Sequence, residues 1–265
     1  MTLQELAFDE LVLYTACPLC DCEDMSFLLS MPCGHHPSYR AGMVPEMHWQ
    51  TCDRCGHVFR NGYFTDEAAA QIFTLDYPTL EVGHDLETWR NISARMIERV
   101  VPFRRRGSWL DIGFGNGSLL FTAAEFGFYP IGCDLRSKSV EAIQQLGVEA
   151  YCADVNELVL DHAVGVVSMC DVLEHIPYPK AALETTHRLL EPGGVVLVSM
   201  PNFENMLWRV LDMNAVNPYW SEVEHFHNFS RTRLYELLEE TGFEPVAYGI
   251  SERYRVCMEV VARRV

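Results

Sequence analysis

The stretch Leu110-Asp-Ile-Gly-Phe-Gly-Asn-Gly-Ser-Leu-Leu120 carries the residues best spaced for chemistry. It reads as a buried strand, a glycine-rich turn and the first turn of a helix. Glycines at 113, 115 and 117 let the backbone turn tightly and come close to a ligand. Asp111 stands just before them, where a fixed carboxylate can meet a cationic group. A dinucleotide fingerprint wants its third glycine at 118, where this chain has Ser118. Acids follow the next apolar runs at Asp134, Asp154 and Asp171. An acid at 134 is placed to accept hydrogen bonds from ribose hydroxyls, and one at 154 to receive an adenine amino group. The pattern implies a nucleotide-like cofactor lying across the turn.

A second chemistry sits near the N-terminus. Cys17-Pro-Leu-Cys20 and Cys52-Asp-Arg-Cys55 are two C-x-x-C pairs. Each forms a knuckle that aims two thiolates at one point, and two knuckles complete a tetrahedral zinc site. Four thiolates leave no open coordination position, so the expected zinc is structural, held by Cys17, Cys20, Cys52 and Cys55. Cys22, Cys33, His35 and His36 stand outside that set. The run Cys33-Gly34-His35-His36 is instead a candidate lining for a substrate pocket.

Regular elements must position these groups. From Ser108 onward strands and helices alternate. Strands are expected at 109–112, 129–134, 148–152, 165–170 and 195–199. Helices are expected at 118–126, 137–146 and 180–190, the last stopped by Pro192-Gly193-Gly194. Such alternation implies βαβ units and a mostly parallel sheet. A helix at 232–240, capped by Ser230, precedes apolar runs at 243–250 and 254–262. Their short gap suits a hairpin, which makes the last strand antiparallel. Residues 65–106 read as a helical linker or cap, with a capped start at Thr65. Residues 1–64 read as a loop-rich, zinc-binding module, and 107–265 as the cofactor-binding domain.

Composition narrows the function. The 265 residues are 49% hydrophobic and 22% charged, as in a globular enzyme. A formal charge of -17 argues against a phosphate-backbone surface and so against a nucleic-acid substrate. The run Arg104-Arg105-Arg106 reads as a solvated linker. Met1 to Tyr14 lacks the basic and apolar regions of a signal peptide, and no apolar run has the length of a membrane span. A cytoplasmic location is therefore expected, with the ten cysteines as thiols or metal ligands.

Leu110–Leu120, Cys133-Asp134, Ala153-Asp154-Val155, Met169–Ile176 and Leu190–Val198 together resemble the successive motifs of class I S-adenosylmethionine-dependent methyltransferases. The segment Asp171-Val-Leu-Glu-His-Ile176 is similar to the branch holding ubiquinone-pathway O-methyltransferases and natural-product and sugar methyltransferases. The resemblance spans residues 90–265 and implies an α/β, Rossmann-like seven-stranded sheet with an antiparallel last strand. It implies that Gly113, Gly115 and Gly117 face the methionine and ribose parts of S-adenosylmethionine. Asp111 would then sit near the ammonium, Asp134 at the ribose diol, Asp154 and Val155 at the adenine, and Cys170 near the methionine moiety. C-methyltransferases of nucleotide-linked sugars are similar in placing a cysteine-rich zinc module before this fold, and usually carry a further C-terminal domain.

The implied reaction is methyl transfer to a small-molecule acceptor, read as O-methylation of a hydroxyl in a biosynthetic pathway. C-methylation of a nucleotide-linked sugar is the alternative. A reading of another class is a protein-binding module on an inactive methyltransferase fold. An oxygen nucleophile usually needs a base, and histidine suits the task because it titrates near neutral pH. His175 and His225 are the candidates. His227 is read as structural. Trp208, Tyr219 and Trp220 are candidate walls of the acceptor pocket, and Tyr77 a candidate closure over the cofactor.

Overall fold

Val164–Cys170 is buried at every position, as expected for a central parallel strand covered on both faces. A computed structural model describes residues 11–40, 43–74, 77–254 and 256–265 and places this strand at the middle of a seven-stranded sheet. Its strands are β6 (Gly107–Ile112), β7 (Phe128–Asp134), β8 (Glu149–Cys152), β9 (Val164–Cys170), β10 (Leu190–Pro201), β12 (Phe243–Ile250) and β13 (Cys257–Arg264). Their order is β12-β13-β10-β9-β6-β7-β8. The β10–β9, β9–β6, β6–β7 and β7–β8 pairs are parallel. The last strand, β13, runs antiparallel to both β10 and β12, so the α/β sheet with a reversed final strand is present. The carboxyl ends of β6, β7 and β9 point to one edge, where open α/β sheets bind ligands.

Helices cover the sheet. They are α2 (Leu86–Val100), α3 (Ser118–Glu125), α4 (Ser137–Gln145), α5 (Pro179–Leu189) and α7 (Arg231–Glu240). The Ser230 hydroxyl caps α7 by accepting from Arg233 N. One boundary differs from the sequence expectation. The chain passes straight from α5 into β10 at Leu190, which pairs with Val164, and Pro192-Gly193-Gly194 lies inside the strand at a register shift. Gly193, at φ 73°, makes the bulge, so the prolyl-glycyl run bends a strand rather than ending a helix.

The N-terminal zone is more ordered than its loop-like composition suggests. It holds β1 (Leu11–Leu13), β2 (Met25–Pro32), β3 (Glu46–Cys52), β4 (Val58–Arg60) and β5 (Gly62–Phe64), followed by α1 (Asp66–Phe73), which Thr65 caps. Three of these strands have only three residues, and the β2–β3 register slips between Phe27 and Leu29. Neither leaves a clean alternation to read. Between β10 and α7 lie α6 (Met206–Met213) and the two-residue β11 (His227–Asn228). β11 pairs with β4 and completes a four-stranded sheet of order β11-β4-β3-β2. The cysteine-bearing zone and the segment before α7 therefore share one sheet. Met1–Glu10, on which most of the signal-peptide reading rests, lie outside the described residues. Among the described residues no helix is long and apolar enough to cross a membrane.

Candidate functional site

The turn between β6 and α3 borders a cavity of about 110 Å³. Gly113 has a φ of 68°, and a Cβ there would stand 2.6 Å from Val172, so the close approach requires glycine. Asp111 and Cys170, on adjacent strands, form the floor with Ser93 and Met96 of α2. Trp109 Nε1 donates to Ser168 Oγ at 2.8 Å, and Ser168 Oγ donates to Asp111 Oδ1 at 2.6 Å. Burial raises the Asp111 carboxyl to about 7, with the Ser168 hydrogen bond pulling the other way. A buried carboxylate facing a cavity gains most from a cationic ligand.

The hairpin turn between β12 and β13 folds back over α2 and brings Arg253 and Tyr254 to the cavity. Arg253 Nε lies 3.3 Å from Asp171 Oδ2, and its guanidinium carbon is 5.4 Å from the Trp89 ring centre. Asp171 adopts φ 57°, uncommon for a residue other than glycine, and its N–H donates to Ser199 O at 2.8 Å. Strain of this kind gathers at functional loops.

Asp134 lies beside the cavity and is already engaged. Arg136 donates from Nε to Oδ1 at 2.9 Å and from Nη2 to Oδ2 at 2.8 Å, with both side chains buried. Gly115 N also donates to Oδ2 at 3.3 Å. The same guanidinium donates to Leu80 O at 3.0 Å and Gly115 O at 3.1 Å, strapping the 78–80 turn across the glycine turn. At Gly117, with φ 79°, a Cβ would stand 3.0 Å from Ile143 and Phe121, and the residue is not part of the cavity lining. Asp154 accepts from Asn156 N at 2.8 Å, and Val155 packs into the core. The cavity thus gathers Asp111, Gly113, Gly115 and Cys170, while Asp134, Asp154 and Val155 lie outside its walls.

A second cluster begins four residues after Cys170, at Glu174. His175 Nδ1 lies 2.9 Å from Glu224 O. A carbonyl can only accept, so Nδ1 is the donor in this contact; in the neutral imidazole Nε2 then carries the lone pair. The His175 and His225 rings meet edge to face at 4.7 Å. Burial, reinforced by His175, pushes His225 down to about 3, so its imidazole is neutral at pH 7. Glu174 is 1% exposed, neither carboxylate oxygen has a partner, and burial holds its carboxyl well above the usual range. Donor atoms of Glu174, His175 and His225 lie within 4.8 Å of one another, a set that could also cup a divalent cation.

The N-terminal zone reaches this cluster. Ser38 Oγ donates to Glu224 Oε1 and lies 3.1 Å from Tyr77 Oη. His36 Nε2 pairs with Glu222 Oε1 at 2.6 Å. Burial opposes ionisation of both, yet the pairing holds His36 above and Glu222 below their ordinary ranges. Tyr77 therefore sits against the N-terminal zone. Trp208 stacks on Tyr219 at 5.3 Å and is buried with Trp220 in the core around Trp49.

The four knuckle cysteines come together. Cys17 and Cys55 Sγ atoms are 3.7 Å apart, and Cys20 and Cys52 Sγ atoms 3.6 Å. A tetrahedron of thiolates at zinc–sulfur bonds near 2.3 Å has edges of about 3.8 Å, so spacing and donor set both fit zinc. Cys22 and Cys33 point instead to backbone carbonyls. Behind the knuckle, His57 Nε2 meets His227 Nδ1 at 3.1 Å, and His227 Nε2 donates to Ile176 O at 2.9 Å. Phe226 N donates to Glu174 O at 2.9 Å. The cysteine zone thus braces the backbone that carries Glu174 and His175. The sequence reading passed over Glu174, Arg136, Arg253 and His57. Glu174 could have been singled out as an acid inside an apolar run; the others have no local signal.

A family model described as a methyltransferase domain matches residues 83–248. The ubiquinone biosynthesis O-methyltransferase of Coxiella burnetii is 27% identical over 116 residues, 40% of this chain and 50% of its own length. That of Klebsiella pneumoniae is 30% identical over 114 residues, 40% of this chain and 47% of its own. The chain spans about half the length of the curated relatives it matches. Among solved structures, magnesium protoporphyrin IX methyltransferase from Synechocystis with bound SAH is similar at a TM-score of 0.54 and 18% identity, over 67% of this chain and 84% of that one. The 1,6-didemethyltoxoflavin-N1-methyltransferase of Burkholderia thailandensis, with its substrate and S-adenosylhomocysteine bound, gives 0.53 and 20%, over 69% and 82%. At such identities these structures speak to the fold. The family match covers more than half of the chain: it belongs to the methyltransferase-domain family.

Proposed function

From that membership we propose that the chain transfers the methyl group of S-adenosylmethionine to a hydroxyl of a small-molecule acceptor. One observation carries the reading. Cys170 walls the glycine-turn cavity, and five residues later His175, held at Nδ1 by Glu224 O, packs its ring against His225. Cofactor cleft and candidate base therefore hang from one strand end.

When bound, S-adenosylmethionine supplies an electrophilic methyl that needs placement and exclusion of water more than activation. In this reading Asp111 takes the ammonium, Gly113 and Gly115 let the backbone approach, and Cys170 packs against the methionyl part. Gly117 shapes the start of α3. Asp134 takes the ribose hydroxyls once Arg136 moves aside, and Asp154 with Val155 borders the adenine. His175 receives the acceptor's proton at Nε2, with its ring fixed by Glu224 O. His225 stays neutral and holds the acceptor by a hydrogen bond. Cys17, Cys20, Cys52 and Cys55 hold a structural zinc in a module spanning residues 1–64. Residues 65–106 form the cap and 107–265 the methyltransferase domain. The names of the curated relatives favour oxygen as the attacking atom.

C-methylation of a nucleotide-linked sugar is the second reading. It is favoured by the contacts of His36 and Ser38 with Glu222 and Glu224, which build the cysteine zone into the acceptor side. Product NMR separates the two: a methyl carbon bonded to oxygen supports the first, one bonded to carbon the second. Failure of the well-folded, zinc-loaded chain to bind S-adenosylmethionine in a calorimetric titration would sink both.

A further inference from the structure

We propose that Arg253 anchors the α-carboxylate of the cofactor's methionyl tail, so that the terminal hairpin completes the cofactor site. The assignment rests on the proposed S-adenosylmethionine reading. That tail is a zwitterion and needs an acid and a base at one end of the cleft. Asp111 is the acid. Among the described residues that line the cavity, Arg253 is the sole Lys or Arg.

The guanidinium is held in place and incompletely used. Its nearest charge is Asp171 Oδ2 at 3.3 Å, yet neither Arg253 Nε nor Asp171 Oδ2 forms a hydrogen bond, and both atoms are buried. Trp89 and Tyr254 flank the guanidinium carbon at 5.4 and 5.9 Å from their ring centres. The turn itself is pinned. Arg253 N donates to Ser251 Oγ at 3.1 Å, and Ser251 N donates to Cys257 O at 3.0 Å. Arg95 of α2 pairs with Glu252 at 3.0 Å. A planar fork with free donors suits bidentate capture of a carboxylate. Asp171 acts as a positioning residue: its left-handed backbone aims the carboxylate that keeps the fork over the cavity.

The test compares S-adenosylmethionine with decarboxylated S-adenosylmethionine, which keeps the ammonium and sulfonium and lacks only the carboxylate. Calorimetric titration of Arg253→Ala is expected to show affinity for S-adenosylmethionine falling by about ten- to a hundredfold. The decarboxylated form should stay within about twofold of its wild-type affinity, since it never engages the fork. Arg253→Lys, which keeps the charge without the fork, should fall between. Equal losses for both ligands would overturn the assignment, as would no loss for either. If the alanine variant binds neither ligand, the same ratio is read from Arg253→Lys and Arg253→Gln. A wild-type chain that binds neither ligand would refute the cofactor reading itself, a separate outcome from any of these.

Discussion

The two ends of the proposed site, one for the cofactor and one for the acceptor, are built by opposite means. The cofactor end is local. Asp111, Gly113 and Gly115 follow one another along a strand and its turn, and Cys170 lies on the adjoining strand, two residues beyond the partner of Asp111. The acceptor end is assembled from afar. His175 is fixed by Glu224, and Glu224 is held by Ser38, 186 residues away in the chain. The backbone beneath is braced by His57 through His227. A local site is secured by strand register, whereas an assembled one depends on every segment that feeds it. Damage to the cysteine zone should therefore reach the acceptor end and spare the cofactor end.

Removing the proposed base should have the largest effect. His175→Ala is expected to lower kcat by about 10²- to 10⁴-fold, with the S-adenosylhomocysteine Kd unchanged. A matched loss of cofactor affinity would dissolve the division between the two ends. Next in size, Cys52→Ser should release the bound metal and cut turnover by about a hundredfold, because structural zinc supplies folding energy directly. Metal content by atomic spectrometry, read beside the cofactor Kd, checks that the damage stays on the acceptor side.

The cofactor end should show its own pH signature. The free chain holds Asp111 at about 7, and the ionised form is the one that meets an ammonium. Affinity should fall by about tenfold per pH unit below 7 and level off above it. Asp111→Asn should flatten that slope. A smaller effect concerns stability in acid. His225 and His227 are held near 3 and 4 by burial, far below an unfolded histidine. Between those values and about 6.5 the unfolded chain binds more protons, so stability is lost as pH falls through that window. Each contributes about 1.4 kcal/mol per pH unit there. Thermal melts from pH 7 to 5 check it, and His227→Gln should shallow the trend. The smallest change expected is Ser230→Ala, which removes the cap of α7 and costs about 1 kcal/mol without altering either ligand site.

The same contrast explains what could be read from the chain alone. The glycine turn, the βαβ alternation and the reversed β13 were legible because each is written in neighbouring residues. Both C-x-x-C pairs were legible for the same reason. Gly117 is grouped with Gly113 and Gly115 by spacing, and a Cβ there would meet Ile143 and Phe121. Arg136 covers Asp134 through a side-chain conformation that no spacing encodes. The strands of residues 11–64 were hidden because three are too short for a period and one pairing slips. The tie between Ser38 and Glu224 depends on β11 joining the N-terminal sheet, a pairing of two residues that leaves no pattern.

Calorimetric titration of S-adenosylmethionine into wild type, Asp111→Asn and His175→Ala tests the division most directly. The expected result is one-to-one binding that Asp111→Asn weakens by about tenfold or more and His175→Ala leaves intact. Equal weakening in the two variants, or no binding by the folded wild-type chain, would contradict it.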